Sequence, residues 1–285
     1  MRVTPDEDEV IVELKMTLMR DPSLWTLANV GERMLSLGER VRAMATLRTA
    51  AAVFAHRGLM VQAVVALEPI RHLCDEGQRH ADLIQLAELR IGDREALRHH
   101  VNALDGGAAF KLLQQSGARD LDDDAEESAV LPAPAPLLGT VEPEQFASLV
   151  SAARVTHLSA GERVVAEGEG GQTLYGIGRG RVVVYCTPPA DRPELGDDGR
   201  IYLSSLSEGD FFGEFGFLTA RPRTATVETI TDAWLLELDR AAADNLVGLD
   251  SENAGLLLDF YKERVAELQM AKSPVFAVLE PHQRK

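Results

Sequence analysis

Between Phe211 and Val227 the chain reads FFGEFGFLTARPRTATV, which sets one carboxylate, Glu214, and one guanidinium, Arg223, on either side of a short apolar run led by a glycine. Gly213 lets the backbone approach a ligand closely, and a short helix beginning near Glu214 would aim its N–H groups at an anion. Arg223, held by Pro222 ahead of a strand-like run, can fork onto the same anion. A carboxylate beside a phosphate would be repelled by it, so Glu214 suits another group, and carboxylates accept hydrogen bonds from sugar hydroxyls. The spacing therefore fits a ligand that carries both a phosphate and a ribose hydroxyl.

The stretch resembles the phosphate-binding cassette of the cyclic nucleotide-binding domain, whose pattern is F-G-E, a few apolar residues, then P-R-x-A-T-V; here it is complete. The resemblance extends back through LSAGERVVAEGEGGQTLYGIGRGRVVVYC at 158–186, which looks like the family's first strands with their spaced glycines. It implies an antiparallel β-roll, jelly-roll-like, with helices before and after it. It also implies that Glu214 binds the ribose 2′-hydroxyl and Arg223 the exocyclic oxygens of the cyclic phosphate. The amides from Gly213 through Glu214 and Phe215 to Gly216 would complete the anion site, and Thr224 and Ala225 would follow the arginine along the pocket. Thr224 bears on the base: in the family a threonine here often serves cyclic GMP, yet bacterial cyclic-AMP proteins can carry a hydroxyl residue. The expectation leans slightly to cyclic AMP. One departure is Gln172, where many members have Asp; it lies on a turn.

Around these residues the alternation predicts the elements that must position them. A leading helix is expected over Glu142–Ala153, and strands over Arg163–Ala166, Thr173–Ile177, Arg181–Cys186, Ala225–Ile230 and Ala233–Leu238. The acidic, proline-containing run from Pro188 to Arg200 reads as a long hairpin loop. Asp239 is placed to cap a helix through Ala241 to Leu246. Further on, AGLLLDFYKERVAELQM at 254–270 is amphipathic; the resemblance implies a helix that swings over an occupied pocket, with Phe260 and Tyr261 as candidates to cover the base. The same apolar face could pack on the roll or on a second copy of the chain, which leaves a homodimer open.

The N-terminal part reads as helix from Glu9 to about Leu121, with apolar residues three and four apart. Gly38, Gly58 and Gly77 punctuate it and are expected as helix C-caps. Two windows resemble the tetratricopeptide repeat: Leu27, Val30, Gly31, Met34, Gly38, Ala43, Leu47 and Ala50, and then Leu47, Ala50, Ala51, Phe54, Gly58, Ala63, Leu67 and Ile70. They overlap, so both cannot be whole repeats. Stacked helices of this kind present a groove to a protein segment, which is the expected route to a protein partner. His72, His80, His99 and His100 lack acids or cysteines at ligand spacing and are read as solvated helix-face residues, with no metal expected.

Composition limits the rest. At 285 residues and 45% hydrophobic content there is room for about two domains with real cores. The expected division is a helical tetratricopeptide-like domain at 1–121, an acidic and proline-rich linker at 122–137, a cyclic nucleotide-binding domain at 138–248 and a C-terminal helix at 249–272. The tail at 273–285 contains PVFAVLEPHQ, which repeats the register of PLLGTVEPEQ at 136–145 and looks like the start of a second such domain. A net charge of −16 argues against general nucleic-acid affinity, and no room for a DNA-binding module is seen after Leu249. No basic-flanked leader and no run of ~18 apolar residues is found, so neither secretion nor a membrane is expected and the cytoplasm is the default. Cys74 and Cys186 make no metal spacing and read as buried thiols. With no phosphate loop of the G-x-x-x-x-G-K-[ST] kind, no kinase motif set and no catalytic grouping, the chain reads as a non-enzyme without a cofactor. The expected role is a cytoplasmic bacterial signalling effector that couples cyclic nucleotide to a protein partner; the alternative is a ligand-independent scaffold with a degenerate pocket.

Overall fold

The computed structural model describes residues 24–89, 141–190 and 198–241, together with Leu97, Leu138 and Ala243. The expected linker, the C-terminal helix with Phe260 and Tyr261, the tail repeat, His99 and His100 lie outside the described residues. The chain divides into two compact units, Met1–Ala133 and Pro134–Lys285.

In the first unit, helices α1 (Leu24–Ser36), α2 (Arg40–His56) and α3 (Met60–Leu67) are followed by a 3-10 turn (Glu68–Leu73) and α4 (Glu76–Glu88). Gly38 and Gly58 end α1 and α2 as the spacing predicts, at φ +89° and +74°. Each completes a paired closure: Gly38 N–H donates to Leu35 O and Glu39 N–H to Met34 O, while Gly58 N–H donates to Ala55 O and Leu59 N–H to Phe54 O. Gly77 corrects the expectation. It lies inside the first turn of α4, whose start is fixed by Asp75, the side chain accepting from Gln78 N–H at 2.8 Å.

The overlap of the two repeat-like windows has a structural cause. Helix α2 is central, packed on α1, α3 and α4, and is buried nearly all round from Thr46 to Ala55, so its residues serve contacts on more than one side. Its alanines permit close approach. A Cβ on Gly31 of α1 would meet Leu47 Cγ at 2.5 Å, so that crossing requires glycine.

The second unit opens with α5 (Pro143–Ala152), Pro143 standing at its first turn where a missing N–H costs nothing. Eight strands follow: β1 (Arg154–Leu158), β2 (Arg163–Val165), β3 (Thr173–Arg179), β4 (Val182–Cys186), β5 (Ile201–Leu206), β6 (Phe211–Phe212), β7 (Thr226–Thr229) and β8 (Ala233–Asp239), with the short α6 (Glu214–Thr219) between β6 and β7. They pair antiparallel in two four-stranded sheets, ordered β1-β8-β3-β6 and β2-β7-β4-β5. Val165, Ile177, Val182, Val184, Leu206, Phe212, Val227, Ala233 and Leu235 make one buried core. The alternation that predicted β4 is visible in its burial, with Val182, Val184 and Cys186 inside. β4 and β5 pair from Cys186↔Ile201 onward, so the acidic excursion does join two neighbouring strands.

Candidate functional site

The site is assembled where β6 runs into α6 and where the chain returns toward β7. Gly213 stands at the turn with φ +88°; a Cβ there would lie 2.7 Å from Thr173 O and 2.8 Å from Arg223 Nη1. Only glycine meets both demands. Helix α6 then closes its first bond from Phe217 N–H to Gly213 O, and it ends at Ala220, a non-glycine residue held at φ +55°. Gly216 faces the same way: a Cβ on it would run into the carbonyl of Gly171 and come 3.1 Å from Arg223 Nη1.

Arg223 is 6% exposed. Its Nη1 donates to Gly213 O and its Nη2 to Thr173 O, both at 2.8 Å. Two bonds leave further donors on the fork, since a guanidinium carries five N–H groups. Its main chain is fixed as well, Arg223 N–H donating to Glu169 O and Gly168 N–H to Arg223 O. Gly171, in the same β2–β3 loop, packs its α-carbon side against the guanidinium, a Cβ there being 3.3 Å from Nη2. Burial lowers the proton affinity of Arg223, while Tyr175, Glu214 and Glu169 act in the opposite direction. Tyr175 lies beside it, Arg223 Cζ being 5.7 Å from the ring centroid, and the phenol is itself pushed up by burial.

Glu214, 8% exposed, opens α6. It and the other residues singled out from the sequence, Gly213, Phe215, Gly216, Arg223, Thr224 and Ala225, all line one cleft of about 570 Å³ measured out to its mouth. Val165, Val184, Leu203, Leu206, Phe212 and Val227 line the same cleft with apolar side chains, and Ser204 adds a polar one. The cleft thus offers apolar surface to a flat ring, and at Arg223 and Glu214 charged groups to an anion that carries hydroxyls. Sequence reasoning did not single out Ser204, Gly171 or Tyr175. The Gly-Gly pair at 170–171 was a usable signal for the second of these; Ser204 and Tyr175 are brought in by strand register.

Beyond the sheet, Arg240 ties parts of the site together. Its N–H donates to Gln172 O at 2.9 Å and its Nη1 to Phe217 O at 3.1 Å, with Cζ 5.4 Å from the Phe217 ring. Ala241 N–H donates to Asp239 Oδ1 at 2.8 Å, the capping bond expected at the start of the next helix. Cys186 is buried, while Cys74 is only half-buried, with burial raising its thiol and Arg48 opposing. Among the described residues no cluster of His, Cys, Asp and Glu could hold a metal, and no helix is long and apolar enough to cross a membrane.

Comparison with known proteins bears on what this cleft is. Residues 155–249 match the family model of the cyclic nucleotide-binding domain. The C-terminal unit therefore carries that domain, as an antiparallel roll with helices. A cAMP-dependent protein kinase regulatory subunit of Dictyostelium discoideum is 34% identical over 113 residues, 39% of this chain and 33% of that protein. A CRP-like cAMP-activated global transcriptional regulator of Mycobacterium tuberculosis is 33% identical over 102 residues, 36% of this chain and 42% of that protein. Among solved structures, the catabolite activator protein of Thermus thermophilus aligns with a TM-score of 0.40 at 25% identity, covering 47% of this chain and 60% of that one. The chain thus spans about a third to two fifths of the length of these curated relatives.

Proposed function

We propose that the cleft between α6 and β5 receives a purine 3′,5′-cyclic nucleotide, cyclic AMP ahead of cyclic GMP, and that the chain is a bacterial, cytoplasmic signalling effector and not an enzyme. The observation that carries the reading is Arg223: a guanidinium 6% exposed, its fork bonded to two main-chain carbonyls, lining a cleft of mostly apolar side chains. Glu214 and Glu169 act on the buried cation only through the field, and an anion entering the cleft adds the direct, hydrogen-bonded neutralisation they do not supply. In this reading the cyclic phosphate meets the free edge of the Arg223 fork and the amides about Gly213–Gly216. Glu214 accepts from the ribose 2′-hydroxyl. The base lies along Val184, Leu203 and Val227, with Ser204 and Thr224 lining the same cleft. Named relatives described as cAMP-dependent and cAMP-activated support cyclic AMP as the first ligand to try.

The helical unit is read as the partner-binding part, with occupancy of the cleft altering its grip. The ligand must bind one arrangement more tightly than another, or it shifts nothing. The test is the melting temperature of the full chain with and without excess cyclic AMP or cyclic GMP. A ligand at a hundred times its dissociation constant adds about 2.7 kcal/mol to the folded state. A rise with one of the two supports the site and chooses the base; no rise with either refutes it and moves function to the helical unit as a ligand-independent assembly surface.

A further inference from the structure

The bonds to Gly213 O and Thr173 O engage Nη1 and Nη2 of the Arg223 guanidinium, and a further contact bears on the group without using a donor. Arg223 Cζ lies over the ring of Tyr175, 5.7 Å from its centroid, inside the roughly 6 Å over which a ring attracts a cation. The ring is not free to wander. Tyr175 sits in β3 in register with Phe212 of β6 and Glu237 of β8, and its ring stacks on Phe212 with centroids 4.9 Å apart and planes within 6°. Phe212 is itself 3% exposed. Gly213 supplies the opening through which ring and guanidinium meet, since a Cβ there would be 3.2 Å from Tyr175 Cδ2 and 2.8 Å from Nη1.

The chemistry of a ring at this position differs from that of a carboxylate. A carboxylate would neutralise the guanidinium and occupy the N–H donors an incoming phosphate needs. An aromatic face attracts the same cation while using none of those donors.

We propose that Tyr175 is a positioning residue of the anion site, its ring orienting the Arg223 fork toward the cyclic phosphate without competing for its donors; the inference rests on the cyclic nucleotide reading above. It is tested on the full chain with cyclic AMP and its two phosphorothioate diastereomers, which replace one or the other exocyclic oxygen by sulfur. Dissociation constants are measured for the wild type, Tyr175→Phe, Tyr175→Met and Arg223→Lys. The expected result is that Tyr175→Phe stays within about twofold of wild type, because the ring is kept. Tyr175→Met, of similar bulk without a ring, weakens cyclic AMP roughly three- to thirtyfold and shrinks the ratio between diastereomers toward that of Arg223→Lys. Loss by one common factor for all three ligands, with the ratio unchanged, overturns the proposal, as does unchanged affinity in Tyr175→Met.

Should Tyr175→Met prove unfolded, the contact is read directly in the folded proteins. The Arg223 Nε proton, identified by its loss in Arg223→Lys, is expected upfield of its usual position in wild type and Tyr175→Phe alike, through the ring current. A usual position overturns the proposal. A wild type that binds no cyclic nucleotide overturns the parent reading and this one with it, whereas failure of Tyr175 alone leaves nucleotide binding in wild type intact.

Discussion

Each unit of the molecule withdraws an arginine largely from solvent, and the two are compensated in different ways. In the helical unit Arg48 of α2 donates from Nε and Nη2 to Asp82 Oδ2 of α4 at 3.0 and 2.9 Å, with Gln78 Nε2 on the other carboxylate oxygen. Their side chains are 16% and 8% exposed, so the pair is enclosed and complete. In the roll Arg223 is at least as enclosed, yet its bonds go to carbonyl oxygens, and its carboxylate neighbours Glu214 and Glu169 act on it through the field and form no ion pair with it. A charge already answered by a fixed carboxylate ties helices together. A charge that no fixed carboxylate hydrogen-bonds is the arrangement on which the proposed anion site rests.

The comparison can be broken by exchanging the expected outcomes. Arg48→Ala leaves Asp82 buried without its cation and is expected to destabilise the helical unit by about 3–5 kcal/mol in denaturant unfolding, with nucleotide affinity unchanged. Much of that loss should return in Arg48→Met combined with Asp82→Leu, which removes both charges. Arg223→Ala is expected to do the reverse: cyclic nucleotide affinity falls by about 2–5 kcal/mol by calorimetric titration, while the unliganded protein melts no lower than wild type. If Arg223→Ala lowers the melting temperature of the unliganded, still folded roll and leaves affinity intact, the two arginines are alike and the site assignment fails.

Smaller effects sharpen the contrast. Gly216→Ala should push α6 off the β2–β3 loop, because its Cβ meets the Gly171 carbonyl. We expect a loss of about 1–3 kcal/mol, seen in both melting temperature and affinity. Asp75→Ala removes the cap on Gln78 N–H and should lower helical-unit stability by about 1 kcal/mol in the same unfolding assay, with no change in nucleotide binding.

The cleft was legible in part because seven of its lining residues, Gly213 to Gly216 and Arg223 to Ala225, lie in one short stretch, and folding only has to bend it. The strands with strong alternation were legible too, as were the glycine closures at 38 and 58. What was not legible depends on distant partners. β6 is two residues long and exists through its pairing with β3, and β1 exists through β8, so neither has a pattern of its own. Tyr175 looks like an ordinary strand aromatic until register sets it against Phe212. Gly77 was misplaced because a glycine near a helix end says nothing about which end; Asp75 with Gln78 three residues on was the deciding signal. The repeat-like windows marked true helix contacts, but the central position of α2 is a property of packing on several sides that no single window reports.

The junction at Arg240 has a practical consequence for anyone dividing this chain. The last strand ends at Asp239, and a cut there would look clean by sheet topology. It would also remove the donor that serves the Phe217 carbonyl at the end of α6 and the one that serves Gln172 in the loop facing Arg223. A fragment meant to keep this cleft intact therefore reaches past β8, and one trimmed at that border would report on a loosened pocket.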